Sequence, residues 1–247
     1  MRLFSRWYPA QRSSAPELMD DPGSDRLQLE QTLGQFRLVN LLLSRIRSLL
    51  RRYVLRDMLA RGVTHATVLD VGAGGCDVAL WLLRAAERRG LSLSISCLDH
   101  DRRVLAYARR QVAEEPAIEV LDSSVFDIRG QWDYVICNHF LHHLNDQQVG
   151  RFLDLSYQIC GRRLLANDLL RSHWSLFGFR VFAALLLHNS FARSDGVLSI
   201  KRGFRPHELQ RMVERSAWTN SPQSHTDTTA RVLRLAPGRV VIVASRG

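Results

Sequence analysis

The stretch Ala66-Thr-Val-Leu-Asp70-Val-Gly72-Ala73-Gly74-Gly75 decides the fold of this chain. Its first six residues form an apolar, strand-like run, and the glycines after it permit a tight turn. A helical pattern then begins near Val78 and ends at Gly90. Because backbone amides at the start of such a helix point at a bound ligand, the stretch predicts a nucleotide-binding strand–turn–helix unit.

Strand and helix patterns keep alternating after this turn. Strands are predicted at 66–71, 91–98, 118–121, 132–137 and 164–167, and helices at 78–89, 102–114 and 145–160. The last of these helices has a capping-box pair, Asn145 and Gln148, and we expect Gly161 to cap its C-terminus. Strand-like runs at 229–236 and 239–244 flank the turn signal Pro237-Gly238. We therefore predict a Rossmann-like α/β fold with a mostly parallel seven-stranded sheet and a C-terminal antiparallel hairpin.

The segments outside this core are predicted from composition and periodicity. Residues 1–62 are expected to form an N-terminal tail and a helical lid, and residues 63–247 the Rossmann-like domain, with a substrate-lid insertion at about 170–205. Within the N-terminal part, residues 1–25 have a tail-like composition, with a short ordered piece around Glu17. Residues 27–60 have helical periodicity, and Gly34 and Gly62 are the expected breaks.

Charge and cysteine usage restrict the class of protein. The 247 residues carry a net charge of +10, which leaves nucleic acid, an anionic membrane or an acidic substrate open as partners. Four widely spaced cysteines fit a reducing compartment, and the longest apolar stretch, 176–191, is too short to cross a bilayer. We predict a cytoplasmic protein, with peripheral contact at the inner membrane surface as an alternative.

Acidic residues follow the second predicted strand. Asp99 stands at its carboxyl end, where a carboxylate accepts hydrogen bonds from ribose hydroxyls. Asp101 is the better candidate to cap the helix that begins at Arg102, which leaves Asp99 for the ligand.

The glycine-rich turn resembles motif I of class I S-adenosylmethionine-dependent methyltransferases, with Cys76 at the position of the third glycine. The resemblance runs from about Thr64 onward and implies S-adenosyl-L-methionine as the cofactor. It places Asp70, Gly72 and Gly74 beside the methionine moiety and Asp99 at the ribose. It also places His100 at the adenine, together with a loop that has Ser124 in place of the usual acid. The implied cofactor-binding residues are Asp70, Gly72, Ala73, Gly74, Asp99, His100, Ser124, Val125 and Asn138.

The segment Cys137-Asn-His139-Phe-Leu-His142-His143-Leu144 resembles the corresponding segment of quinone-biosynthesis small-molecule methyltransferases, and the insertion at 170–205 resembles methyltransferases of polyketide and lipid-quinone pathways. It differs from the Asn-Pro-Pro-Tyr motif of many nucleic-acid and protein N-methyltransferases, which disfavours nucleic acid as a partner. His142, His143 and Asp168 are the candidate catalytic residues, because a phenolic acceptor needs a base. We expect the two adjacent histidines to face different directions. No metal site is predicted, since no carboxylate or cysteine stands near them at ligand spacing.

The apolar insertion is expected either to pack into the core or to supply the acceptor pocket. Its helical run 174–187 is apolar, and 193–202 is interpreted as a polar turn beside the pocket. The candidate substrate-binding residues are His173, Phe177, Arg193 and Asp195.

We therefore predict methyl transfer to a hydrophobic small molecule, at a phenolic or enolic oxygen of a polyketide- or quinone-like acceptor. C-methylation of a quinone ring and methylation of RNA or protein are the alternatives. The arginine-rich N-terminal helices are interpreted as a lid, or else as a contact with an anionic membrane.

Overall fold

The computed structural model describes residues 11–221 and 228–246, which fold around one seven-stranded sheet. The strands are β1 (His65–Val71), β2 (Ser92–Asp99), β3 (Ile118–Asp122), β4 (Trp132–Asn138), β5 (Cys160–Leu169), β6 (Thr228–Leu235) and β7 (Arg239–Arg246). Their order is β3-β2-β1-β4-β5-β7-β6. The first five strands are parallel, and β7 is antiparallel to both β5 and β6. The predicted fold class, including the closing hairpin, is confirmed.

Helices cover both faces of the sheet. They are α1 (Arg26–Leu42), α2 (Ile46–Leu50), α3 (Arg56–Ala60), α4 (Asp77–Glu87), α5 (Arg102–Gln111), α6 (Asp146–Ile159), α7 (His173–Leu186), α8 (Ala192–Arg202), α9 (Pro206–Arg215) and α10 (Ala217–Asn220). A π-helical turn at Arg51–Leu55 joins α2 to α3. Two clusters of buried apolar side chains separate the sheet from the helices on its two faces. The predicted capping box of Asn145 and Gln148 is present at the start of α6.

Three local predictions are wrong. Gly34 lies inside α1, and the chain breaks instead at residues 43–45, where Arg45 has a left-handed φ of 60°. Gly161 does not cap α6, because Cys160 is already extended and the chain passes directly into β5. Residues 193–202 lie in helix α8 rather than in a turn, with Asp195 in its first turn.

Residues 11–25, the N-terminal strap, pack across the carboxyl edge of the sheet. The Arg12 guanidinium forms an ion pair with Asp146 at 2.7 Å and donates to the carbonyl oxygens of Leu144 and Arg202. It also stacks 4.0 Å from the ring centroid of Phe204. The short ordered piece predicted around Glu17 is present as the helical turn Leu18–Asp20. For the other residues of 11–25 the expectation of a mobile tail is wrong, and residues 1–10 lie outside the described chain.

Across residues 11–221 and 228–246, no helix combines the length and the apolar composition that crossing a membrane requires.

Candidate active site

A cavity of about 910 Å³ opens at the carboxyl ends of the parallel strands. The turn after β1, the end of β2 and the segment after β4 line one part of it, and the strap, α1 and α7 line the other. This is the edge at which open α/β sheets bind ligands. Every predicted cofactor-binding residue lies in the lining: Asp70, Gly72, Ala73, Gly74, Asp99, His100, Ser124, Val125 and Asn138.

The glycine turn after β1 is shaped by close contacts. Gly72 and Gly74 have φ values of 67° and 55°, in the left-handed region that disfavours side chains. A Cβ at Gly72 would lie 2.7 Å from the Phe140 ring, so glycine is required there for space as well as for conformation. Cys76 adopts the same left-handed region at φ 60°, directly before α4. The turn therefore presents bare backbone to the cavity.

Two carboxyl groups in this part of the cavity lack full charge compensation. Asp70 is fully buried, and its Oδ2 has no hydrogen-bond partner in the described chain. Burial, followed by the nearby charges of Asp77 and Asp99, raises the pKa of Asp70 to about 8. Burial also raises the pKa of Asp77, although the Asn40 amide donates to both of its oxygens. An orphaned buried carboxyl oxygen among acids favours a cationic ligand, which fits the ammonium and sulfonium groups of S-adenosylmethionine.

A chain of hydrogen bonds between three asparagines connects Asp77 to the sheet. Asn167 Nδ2 donates to Asn138 Oδ1, and Asn138 Nδ2 donates to Asn40 Oδ1, each at 2.8 Å. Asn40 then donates to Asp77. Helix α1 is thereby fastened to the ends of β4 and β5 at the cavity wall.

The nucleoside side of the cavity is organised by Asp99. Its Oδ2 accepts the Gly74 amide at 3.2 Å, and its Oδ1 accepts the amides of His100 and Asp101. Asp99 is therefore held rigidly by the backbone rather than free, although a carboxylate retains lone pairs for further donors. The Asp101 side chain accepts the Arg103 amide, which confirms that Asp101 caps α5.

The other end of the cavity holds a cluster of histidines and carboxylates. His142 Nδ1–H donates to Asp168 Oδ1 at 2.8 Å, and the His142 amide donates to Asp168 Oδ2 at 3.2 Å. Asp168 is fully buried; burial would raise its pKa, but the adjacent His142 charge and hydrogen bond hold it well below its usual range. On the opposite edge of the same ring, His142 Nε2 lies 3.6 Å from Glu17 Oε1. The His142 ring is therefore held between two buried carboxyl groups.

His143 belongs to the same cluster. The two histidine rings lie 4.3 Å apart and both line the cavity, so the expectation that they face different directions is wrong. The tight helical turn Leu141–His143 brings the two rings to one side. Burial would lower the pKa of His143, but Asp20 at 3.4 Å and the nearby Glu17 raise it.

Glu17 and Asp20 come from the strap, and sequence reasoning gave neither of them a role in the site. Ser199 Oγ of α8 donates to Glu17 Oε1 at 2.9 Å, and Arg202 lies 3.7 Å from Glu17 and 3.6 Å from Asp20. The ligand atoms of Glu17, His142 and His143 fall within 4.8 Å of one another, a grouping suited to a metal ion. This grouping could not be found from ligand spacing in the sequence, because Glu17 lies far from the two histidines along the chain. That no metal is bound stays a prediction.

The predicted substrate-binding residues lie elsewhere. His173, Phe177, Arg193 and Asp195 are outside the cavity lining. Phe177 is 64% exposed on the outer face of α7, and Arg193 is exposed on α8. Asp195 is buried, but its carboxylate accepts the amides of Leu18 and Met19 and thus anchors the strap. The insertion instead contributes other residues to the lining, among them Trp174, Ser175, Gly178, Phe179, Ser199, Ile200 and Arg202.

Comparisons with known proteins agree with this site. Residues 68–161 match the family model described as a methyltransferase domain, and no curated protein sequence matches the chain. The structure is similar to magnesium protoporphyrin IX methyltransferase from Synechocystis PCC 6803 with bound S-adenosylmethionine (TM-score 0.56, 13% identity, covering 95% of this chain and 100% of that one). It is also similar to the methyltransferase SibL (TM-score 0.57, 21% identity, covering 98% of this chain and 64% of that one). A third similar structure is the plantazolicin methyltransferase BpumL with bound S-adenosylhomocysteine (TM-score 0.59, 8% identity, covering 90% of this chain and 96% of that one).

At these identities the structural likenesses concern the fold. The family match covers the glycine turn, Asp99 and the histidine segment, and the cavity beside them suits a cationic nucleoside. Residues 68–161 therefore match a methyltransferase domain, and the chain has the fold that these solved methyltransferases share.

Proposed function

We propose that this enzyme transfers a methyl group to a phenolic or enolic oxygen of a small lipophilic acceptor, with His142 as the general base. The observation that carries the proposal is the His142 ring, held by Asp168 at one edge and bordering the cavity at the other. An aligned base is the group that a weakly acidic hydroxyl requires.

The charges of the cluster support this role. Asp168 accepts the Nδ1 proton and so selects the tautomer in which Nε2 carries the lone pair. When Nε2 takes the acceptor proton, the imidazolium lies between Asp168 and Glu17, whose carboxylates stabilise its charge. His142 Nε2 lies 3.6 Å from Glu17 Oε1, which is longer than a hydrogen bond. The acceptor hydroxyl can therefore reach Nε2 without displacing a hydrogen bond to Glu17.

The lining gives the reaction its orientation. S-adenosylmethionine, held by Asp70, Asp77 and Asp99, would supply a methyl group on a sulfonium. The acceptor oxygen would form the C–O bond as the C–S bond broke with its electron pair going to sulfur, and the hydroxyl proton would go to His142 Nε2. Asp70, Asp77 and Asp99 lie at the cofactor end, and His142 lies at the acceptor end of the same cavity. Helix α1 acts as a lid, since Leu33, Phe36 and Val39 contribute apolar side chains to the cavity lining. Alignment of the reacting atoms then accounts for most of the rate.

The acceptor's character follows from the surrounding side chains. Phe36, Phe140, Phe179 and Ile200 add apolar surface to the lining of the same cavity. Among similar structures, mitomycin 7-O-methyltransferase MmcR and human N-acetylserotonin methyltransferase are named for small-molecule acceptors. C-methylation of a quinone ring uses the same base and is the second candidate.

The first experiment is calorimetry of S-adenosylmethionine and, separately, NAD(P) with the wild type and with Asp99→Ala. We expect binding of the sulfonium cofactor and a weaker Kd in the variant; no binding at all would refute the proposal.

Turnover of alkylated phenols and quinones with deuterated-methyl cofactor then identifies the methylated atom by mass spectrometry and NMR. His142→Gln should abolish O-methylation without changing cofactor Kd, whereas His207→Gln, an exposed histidine on α9, should retain full activity. Methyl transfer that survives His142→Gln contradicts the assigned base.

A further inference from the structure

Helix α7 presents an apolar face that residues 11–221 and 228–246 leave uncovered. Trp174, Phe177 and Leu185 are 80%, 64% and 69% exposed, and Val181 between them is 46% exposed. These positions recur at i, i+3, i+7 and i+11, so they form one stripe roughly 16 Å long, the α7 stripe. A surface helix of a globular protein normally carries polar side chains on that face, and a contiguous apolar surface marks an interaction site.

The α7 stripe lies at the entrance to the cavity. Trp174 lines the cavity although it is largely exposed, so the cavity reaches the surface beside this side chain. Ser175 and Gly178 also belong to the lining, whereas Ala183 packs inward against Phe36 of α1. One helix thus joins the cavity wall to an uncovered apolar surface.

The charge around the stripe is positive. Residues 169–194 contain no aspartate or glutamate and include three arginines. Arg171 is buried and paired with Glu208, but Arg180 and Arg193 are exposed. Arg180 lies on α7 itself, beside the stripe, in a chain of net charge +10. An aromatic and aliphatic face flanked by arginines is the composition of helices that lie in the interface of anionic bilayers.

The same charges disfavour a second copy of this chain as the occupant. A symmetric dimer places equivalent surfaces against each other, so Arg180 of one copy would approach Arg180 of the next without an acidic partner on α7.

We propose that α7 lies in the surface of a bilayer that contains anionic phospholipid, with Trp174, Phe177, Val181 and Leu185 at the boundary between headgroups and acyl chains. The inference rests on the proposed function in one respect: a lipophilic acceptor enters the cavity from the bilayer past Trp174.

Co-sedimentation of the full chain with phosphatidylcholine vesicles, with and without phosphatidylglycerol, tests the docking. We expect binding to the anionic vesicles that weakens with salt. Phe177→Ser/Leu185→Ser should lower the partition coefficient roughly 100-fold, about tenfold for each side chain. The matched control Leu27→Ser/Leu59→Ser removes two exposed leucines outside α7 and should bind vesicles as the wild type does.

Tryptophan emission identifies the docking face. A blue shift on anionic vesicles should be lost in Trp174→Phe, although this variant still sediments with the vesicles. A shift that persists in Trp174→Phe assigns the contact to another surface and overturns the proposal.

Equal partitioning of the wild type and Phe177→Ser/Leu185→Ser also overturns it. So does light scattering that shows a dimer which this variant converts to a monomer, because the stripe then covers a second copy. Cofactor calorimetry on the same variant should match the wild type, since neither residue lines the cavity. Vesicle binding without any methyl transfer would refute the proposed function and leave the docking intact.

Discussion

The buried carboxyl group of Asp70 should make the stability of the free enzyme depend on pH, and Asp70→Asn should remove that dependence. The pKa of Asp70 is about 8 in the folded protein and 3.8 in the unfolded chain. The folded state therefore binds this proton more tightly, and stability falls as pH rises from 3.8 to about 8.

The magnitude follows from linkage. One pKa unit corresponds to about 1.4 kcal/mol, so the Asp70 contribution falls by about 2.5 kcal/mol between pH 6 and pH 9. For a chain of this length that loss lowers Tm by roughly 5–10 °C. In Asp70→Asn the loss does not occur, because an amide does not titrate.

Thermal unfolding of the wild type and Asp70→Asn at pH 6 and pH 9, without cofactor, measures the effect. The Tm of the variant relative to the wild type should rise by roughly 5–10 °C between the two pH values. Other titrating groups are common to both proteins and cancel in this difference. The exposed Asp127→Asn is the matched control and should give no such change.

Added S-adenosylmethionine should reduce the loss of wild-type stability at high pH. Its positive charge stabilises ionised Asp70, so the cofactor should stabilise the wild type more at pH 9 than at pH 6. It should bind Asp70→Asn at least tenfold more weakly, as expected for loss of a charged hydrogen-bond partner. A Tm difference that does not change with pH would refute the reasoning, because it would mean that Asp70 is ionised in the fold at no cost.

Three further predictions concern the cluster and the turn. Glu17→Gln should lower kcat roughly tenfold and change the pH profile of kcat/KM, while cofactor Kd by calorimetry stays within about twofold; an unchanged profile would mean that Glu17 only supports the strap. Asp168→Asn should lower kcat roughly 10³-fold by allowing the wrong His142 tautomer. Asp168→Asn should also flatten the loss of stability below pH 4, since the pKa of Asp168 lies below its unfolded value of 3.8 and its stabilisation disappears on acidification. Gly72→Ala should lower the free energy of unfolding in urea by about 1–3 kcal/mol, because the new Cβ would contact the Phe140 ring and the residue has a φ of 67°. Gly178→Ala, at a helical position on α7 with open space around it, should instead stabilise the fold slightly.

The sheet and the cofactor end of the cavity could be predicted because their signals are local. Apolar periodicity distinguishes β1 from α4, and the glycines stand between them at the position where a ligand approaches the backbone. Asp99 ends the next strand, so its position at the same sheet edge follows from parallel topology.

The acceptor end could not be predicted in the same way. Glu17 and Asp20 lie in a polar segment without periodicity, and only tertiary packing brings them to His142 and His143. Asp195 is a charged residue in the predicted pocket segment, as a ligand-binding residue would be. Its carboxylate instead accepts hydrogen bonds from backbone amides of the strap. The error about the two histidines arose because a tight helical turn, rather than an extended chain, follows β4.

The place of β7 in the sheet has a consequence for synthesis of the protein. β5 ends at Leu169, but β7, which pairs with it, does not begin until Arg239. At translation rates of roughly 5–20 residues per second, the β5 edge stays unpaired for several seconds after it emerges. Leu164 and Leu165, fully buried in the finished sheet, belong to that open edge. The nascent chain therefore passes through a stage that favours aggregation and chaperone binding, and slower synthesis of residues 170–238 should lower the yield of native enzyme.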